Sequence, residues 1–177
     1  MDRIEFAIDR SDFGNLTLVT RNGRLVSLDI DSDDRLRLRK SVLSRYPDAK
    51  ERPESFRPLL RALDRYFKGR RVDFETALDM DDLGDFTRAV LTEVSKVPYG
   101  KTTTYGSLGA AIGFPRAPRA VGQALGRNPI PIVVPCHRVV KADGSLGGFT
   151  IGIEMKARLL TIEGIRLRRL GNSIVLS

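Results

Sequence analysis

At 177 residues, 41% hydrophobic and 29% charged, the chain has the make-up of a soluble globular protein of one domain or two small ones, with no run that could cross a membrane. Its single cysteine and single histidine exclude an internal disulfide and a conventional four-ligand zinc site. The net charge of +8 is unevenly placed, with 17 Lys and Arg against 18 Asp and Glu in residues 1–85 but 13 against 4 in residues 86–177.

The first thirty residues read as an antiparallel meander. Ile4, Phe6 and Ile8 alternate, Leu16 and Leu18 follow, and Asn22-Gly23 is a hairpin turn before Leu25, Leu28 and Ile30. Asp31-Ser32-Asp33 offers a helix cap, with Leu36, Val42, Leu43 and Tyr46 on one face up to Pro47. A second helix is expected from Ser55 to Phe67, closed by Gly69, and Arg71–Glu75 reads as a last strand of the same sheet. These stripes read as core, and residues 1–75 show no chemistry. The acidic stretch Asp79–Asp85 reads as a linker, so residues 1–80 are expected to form a small sheet-plus-helix domain and residues 86–177 a second, mainly helical one.

Asp85 is expected to cap a helix with Phe86, Ala89, Val90 and Val94 inward. Val97–Lys101 is a turn, and the next twenty-five residues have helix-turn-helix rhythm. Thr103 or Thr104 can cap Tyr105–Ile112, Gly113 ends that helix, and Pro118 suits the first turn of a second helix reaching Gly126. Ala120, Gly122, Ala124 and Gly126 give that second helix a face of small residues. Such a face serves close packing against another helix, or a surface lying against a nucleic-acid backbone, with Arg116, Arg119 and Arg127 around it. Further on, Gly147-Gly148-Phe149-Thr150 is a glycine-hinged loop, Glu154–Ile162 a helix with Met155, Leu159 and Leu160 inward, and Leu167–Leu176 a terminal hairpin. The fold class is therefore α+β.

The basic second half has the electrostatic footprint of a phosphate-binding surface. Nucleic acid is the better expectation, because no basic amphipathic helix of the membrane-surface kind is present. Residues 1–20 lack the basic start and apolar core of a secretory signal. A lone thiol survives in a reducing compartment, so a cytoplasmic location is expected, or a nuclear one if the source is a eukaryote.

Cys136 and His137 are neighbours in Pro135-Cys136-His137-Arg138-Val139-Val140, at the end of the apolar run Asn128-Pro129-Ile130-Pro131-Ile132-Val133-Val134. Taken singly, a cysteine is a small buried hydrophobe and a histidine a hydrogen-bonded core residue. Together they meet the requirement of a thiolate nucleophile for a base beside it.

This hexapeptide resembles the active-site signature of the O6-alkylguanine-DNA alkyltransferases. So, in order, do Val97–Gly106, Arg119-Ala120-Val121-Gly122, Asn128-Pro129-Ile130-Pro131, Gly147-Gly148-Phe149 and the tail from Lys156 to Gly164. The resemblance covers residues 86–164 closely and the rest in layout. It implies a DNA repair protein that flips O6-alkylguanine out of the duplex and moves the alkyl group irreversibly to Cys136, once per chain, without cofactor or metal and as a monomer. It implies that His137 is the water-linked base and Glu163 its orienting carboxylate. Tyr105 would donate to a guanine ring nitrogen, with Lys156 polarising its hydroxyl. Backbone groups of Cys136 and Val139 would hold the exocyclic amine, and the Thr150 amide would meet O6. Asn128 would be the hinge, while Pro131, Phe149 and Ile151 would wall the alkyl pocket. Arg119 would enter the duplex in place of the base, with Thr104, Tyr105, Arg116, Ala120 and Gly122 along the DNA.

The chain departs from the family pattern in two places, with Phe149 where tyrosine is usual and Ile151 where some members have a small residue. Two other readings stay open: a pure binding module, against which the cysteine argues, and a Cys-His hydrolase acting through a thioester, which would turn over.

Overall fold

The computed structural model describes residues 2–177, and the chain divides into two compact units, Met1–Asp82 and Leu83–Ser177. Among the described residues no helix is long and apolar enough to cross a membrane.

The first unit is a four-stranded sheet in the order β3-β2-β1-β4, from β1 (Ile4–Ser11), β2 (Gly14–Arg21), β3 (Arg24–Asp31) and β4 (Lys50–Glu51). Asn22 and Gly23 both take positive φ, 54° and 81°, which is how Asn-Gly closes the β2–β3 hairpin. Phe6 pairs with Val19 and Ala7 with Leu18, and all four are buried. Both faces of the sheet are therefore covered, which blurs simple alternation. Helix α1 (Arg35–Arg45) lays Leu38 and Val42 on Phe6, Ile8 and Val19. Its cap is Asp34, whose carboxylate accepts from Leu36 N (2.9 Å) and Arg37 N (3.0 Å). That frame shifts the inner face, and Leu36, expected inward, is 61% exposed. Helix α2 (Arg57–Phe67) follows a 3-10 turn over Pro53–Phe56 and buries Leu63 and Tyr66.

The expected strand at Arg71–Glu75 does not form. The fourth strand is Lys50–Glu51, parallel to β1, and only Leu78 bridges to Leu25 of β3. Nor is the acidic stretch a free linker at its start. Asp79 is buried and takes two bonds from Arg21, at 2.8 and 3.0 Å, while Asp82 takes a third (2.9 Å) and Asp81 pairs with Arg24 (3.0 Å). The guanidinium of Arg21 holds the Asp79 carboxyl below its ordinary range.

The second unit comprises α3 (Asp85–Val94), β5 (Thr103–Thr104), α4 (Tyr105–Ala111), α5 (Pro118–Gly126), β6 (Val139–Val140), α6 (Ile153–Ile162) and a hairpin of β7 (Leu167–Leu170) and β8 (Ser173–Leu176). Gly84, not Asp85, occupies the cap of α3, and Ala89 is exposed while Thr87, Val90, Leu91 and Val94 are buried. Thr104 caps α4 by accepting from Ser107 N at 3.1 Å. The α4–α5 corner is tight because of Gly109, where a Cβ would stand 2.8 Å from the Phe114 carbonyl and 3.4 Å from Val121. Strand β5 pairs in parallel with β6, Thr103 opposite Val139. The start of the helix-turn-helix is thereby tied to the chain leaving Cys136.

Candidate active site

Asn128 follows α5 and organises the loop that delivers the cysteine. Its Oδ1 accepts from Ile130 N (3.0 Å), while its Nδ2 donates to Val134 O (2.9 Å) and to Cys136 Sγ (3.0 Å). Within this loop Ile132 takes φ 73°. A β-branched residue in the left-handed region costs about 1–3 kcal/mol and persists only where its surroundings fix it. Here the Val134 N to Ile130 O bond (2.9 Å) and the burial of Ile130, Ile132 and Val134 supply that constraint. The loop ends in a 3-10 turn, Cys136–Arg138, in which all three residues are buried.

Burial pushes the Cys136 thiol upward, opposed by the Asn128 bond, the Lys156 charge and backbone amides. The resting group is therefore a thiol held among groups that stabilise its thiolate. His137 is fully buried, and its Nε2 lies 2.8 Å from Glu163 Oε1. Burial lowers the imidazole's proton affinity against the pull of Glu163, leaving a neutral ring.

Glu163 is no surface carboxylate. It caps the C-terminal end of α6, where the helix dipole disfavours its charge. Arg138 offsets this with three bonds, Nε to Oε2 (2.9 Å) and Oε1 (3.1 Å) and Nη2 to Oε1 (2.9 Å), and Gly100 N adds a fourth (3.0 Å). Arg138 is buried and also donates to Val97 O at 2.6 Å. Its part in the site escapes sequence reasoning, and the only available signal was its place beside His137 in an otherwise apolar motif.

Lys156 is completely buried. Its ammonium donates to Val139 O (2.6 Å), Leu146 O and Gly148 O (3.3 Å). It meets Tyr105 at the ring, 5.9 Å from the centroid, and not at the hydroxyl as expected. The Val139 carbonyl, expected to hold a guanine amine, already accepts from it. Burial lowers the Lys156 pKa to about 8. Burial, and then the Cys136 charge, raise the Tyr105 phenol, which therefore stays a donor.

A cavity of about 700 Å³ opens over the thiol. Cys136, Tyr105, Arg119 and Gly122 line it, together with the loop Gly147–Thr150. Gly147 takes φ 68°, and a Cβ there would stand 2.7 Å from the Tyr105 hydroxyl. A Cβ at Gly122 would touch the same ring at 3.6 Å, so part of the small-residue face of α5 makes room for Tyr105. Ala124 serves packing and is buried. Thr150 donates its hydroxyl to Gly126 O (3.1 Å), joining the loop to the end of α5.

Two expected wall residues are elsewhere. Pro131 is buried in the Asn128 loop, bridged to Val134, and Ile151 sits in the turn that Gly152 N closes onto Phe149 O (3.0 Å), so neither lines the cavity. Arg116 and Arg119 are both exposed, Ala120 is half-buried, and of the two arginines only Arg119 reaches the cavity. The Thr104 hydroxyl is engaged in capping α4.

Comparison with known proteins agrees with this geometry. The family description "6-O-methylguanine DNA methyltransferase, DNA binding domain" matches residues 85–165, and its companion, "ribonuclease-like domain", matches residues 6–80. A methylated-DNA–protein-cysteine methyltransferase of Metallosphaera sedula is 37% identical over 161 residues, spanning 91% of this chain and 94% of its own. One from Mycolicibacterium paratuberculosis is 37% identical over 164 residues, 90% and 92% of the two chains. Among solved structures, Mycobacterium tuberculosis OGT in complex with DNA superposes with a TM-score of 0.78 at 34% identity, covering 90% of this chain and 92% of that one. The O6-methylguanine-DNA methyltransferase of Pyrococcus kodakaraensis gives 0.66 at 29% identity, covering 92% and 99%.

Proposed function

The chain belongs to the 6-O-methylguanine DNA methyltransferase family, and on that premise we propose how its own residues repair O6-alkylguanine in double-stranded DNA by moving the alkyl group to Cys136. The observation that carries the assignment is the Cys136 sulfur, open to the cavity and 3.0 Å from the Asn128 amide, with a buried His137–Glu163 pair beside it. A base can enter that cavity only after leaving the helical stack. The exposed helix-turn-helix, with Arg119 on the cavity rim, is the surface that meets the duplex.

The thiol proton passes through a water to neutral His137, and the imidazolium so formed is paired by Glu163, which Arg138 holds in place with three hydrogen bonds. Asn128 and the Lys156 charge stabilise the thiolate. Sulfur then attacks the alkyl carbon, the carbon–O6 bond breaks, and Tyr105 gives its proton to a ring nitrogen so that guanine leaves as a neutral base, the phenolate regaining a proton through solvent as the His137 imidazolium gives its own up. The Thr150 backbone amide is the O6 partner. A thioether at Cys136 has no release route within thiol–disulfide chemistry, so each chain reacts once. A lone free thiol that must stay reduced to react supports action in a reducing compartment such as the cytoplasm.

Mixing the protein with duplex containing O6-methylguanine and measuring its intact mass tests this. One methyl group per chain on the peptide bearing Cys136 is expected. Product release well beyond one equivalent would instead indicate a hydrolase.

A further inference from the structure

The cavity over Cys136 is lined by two exposed cations, Arg119 and Lys141, and by no carboxylate. Arg119 stands on α5. Lys141 leaves β6 directly after Val140, on the other side of the motif. Its backbone is fixed at both ends of a tight turn, its N–H donating to Ser145 O (2.8 Å) and its carbonyl accepting from Gly144 N (3.0 Å). The side chain is therefore launched from a rigid base.

Two acids on this side of the site, Asp143 and Glu154, have other partners. Asp143 Oδ1 accepts from Ser145 N (2.9 Å) and Ser145 Oγ (2.7 Å), and these bonds, with a smaller pull from the Lys141 charge, hold its carboxyl below the ordinary range. Glu154 lines a smaller crevice that shares Lys141 and the Gly147-Gly148 wall with the main cavity, and it is paired with Arg169 at 2.7 Å. Among the described residues Lys141 makes no ion pair of its own. A lysine that acts on Asp143 only through space and makes no direct ion pair, at the mouth of a cavity without acids, is a place for an anion.

Any nucleotide whose base fills the cavity must leave its sugar-phosphate at the mouth, because base and phosphate are joined through one sugar. The geometry points to Lys141 as the clamp for the phosphate of the extruded nucleotide. This rests on the repair reading above and goes beyond it. The contact forms only after flipping, so it holds the extrahelical state without adding to the docking of intact duplex. A compact ammonium suits this task, since it needs charge and reach more than a fixed fork.

The experiment compares wild type, Lys141→Gln and Lys141→Arg. Second-order transfer rates are measured with O6-methylguanine in duplex, with O6-carboxymethylguanine in duplex, and with the free bases. If wild type fails to methylate Cys136, the repair reading itself falls, separately from this inference. If it does react, Lys141→Gln is expected to slow both duplex substrates roughly three- to tenfold, as an exposed charged contact would. The free bases should react as before, affinity for undamaged duplex should hold, and Lys141→Arg should keep most of the rate. The salt dependence of the duplex rate should weaken by about one counterion. Unchanged duplex rates overturn the inference. So does a loss confined to the carboxymethyl adduct, which would make the adduct's own carboxylate the anion, or an equal loss on the free bases.

Discussion

Asn128 and Cys136, eight positions apart, are joined by a 3.0 Å bond from the carboxamide Nδ2 to the sulfur, and the same nitrogen also holds the Val134 carbonyl at 2.9 Å. One side chain thus builds the loop and touches the nucleophile it delivers. Asn128→Ala removes a donor that favours the thiolate, so the Cys136 pKa should rise further. A hydrogen bond to a charged group contributes about 1.5–3 kcal/mol, which puts the loss of transfer rate at roughly 10- to 100-fold. The pH dependence of Cys136 alkylation by iodoacetamide reads the thiol directly. If that profile does not move, the sulfur contact is incidental and only the loop matters.

Gly147 and Tyr105 form a second close pair. A methyl group at position 147 would overlap the Tyr105 hydroxyl at 2.7 Å and force an L-residue to φ 68°. Gly147→Ala should cost about 1–3 kcal/mol in urea unfolding. With Tyr105→Phe the nearest contacts become ring carbons at 3.2 and 3.3 Å, so the same substitution should cost less in that background. Additive costs would mean the backbone alone resists the change.

How far the sequence reached is clear from these two pairs. Cys136 and His137 stand out because they are neighbours in one local and chemically unusual motif, whereas Asn128 and the distant Glu163 are named only through the family resemblance. The β2–β3 hairpin was legible because Asn22-Gly23 encodes its turn. What failed depended on distant partners. Lys156 is expected to polarise the Tyr105 hydroxyl, but three carbonyls take its ammonium and it meets Tyr105 at the ring. Arg71–Glu75 has strand-like residues, but Lys50–Glu51 takes the place beside β1. The family resemblance implies that Ile151 lies against the alkyl group, whereas here it sits in the turn after Phe149 and is not among the residues lining the cavity.

In the first unit the Arg21–Asp79 clasp should be a measurable part of stability. Asp79→Asn exchanges a charge-assisted pair at 2.8 and 3.0 Å for a neutral one, and a loss of about 1–3 kcal/mol is expected. The sign with pH follows from the lowered Asp79 pKa. The contribution is present above the ordinary carboxylate range and is lost as pH falls through the folded-state value. The gap between wild type and variant in thermal melts should therefore close in acid. A constant gap from pH 7 to pH 2 would show that the clasp acts by packing.

The pH profile of transfer should be bounded by the two buried bases. Neutral His137 is needed as the proton acceptor, and burial keeps it neutral to below its ordinary value of 6.5, so the acid limb should lie under that value. On the alkaline side the Lys156 ammonium, with a pKa of about 8, supplies the positive charge beside the thiolate. Rates should fall as pH rises through about 8 even though more free thiol would ionise there. The same group has the opposite effect on folding. Between about 8 and the unfolded value of 10.5 the unfolded chain holds the extra proton, so this residue's contribution to stability rises with pH across that window. Lys156→Met should abolish that rise and the alkaline limb together, leaving a slower reaction with a one-sided profile. An alkaline limb that survives in Lys156→Met belongs to another group, and Tyr105, whose phenol must remain protonated to donate, is the next to test.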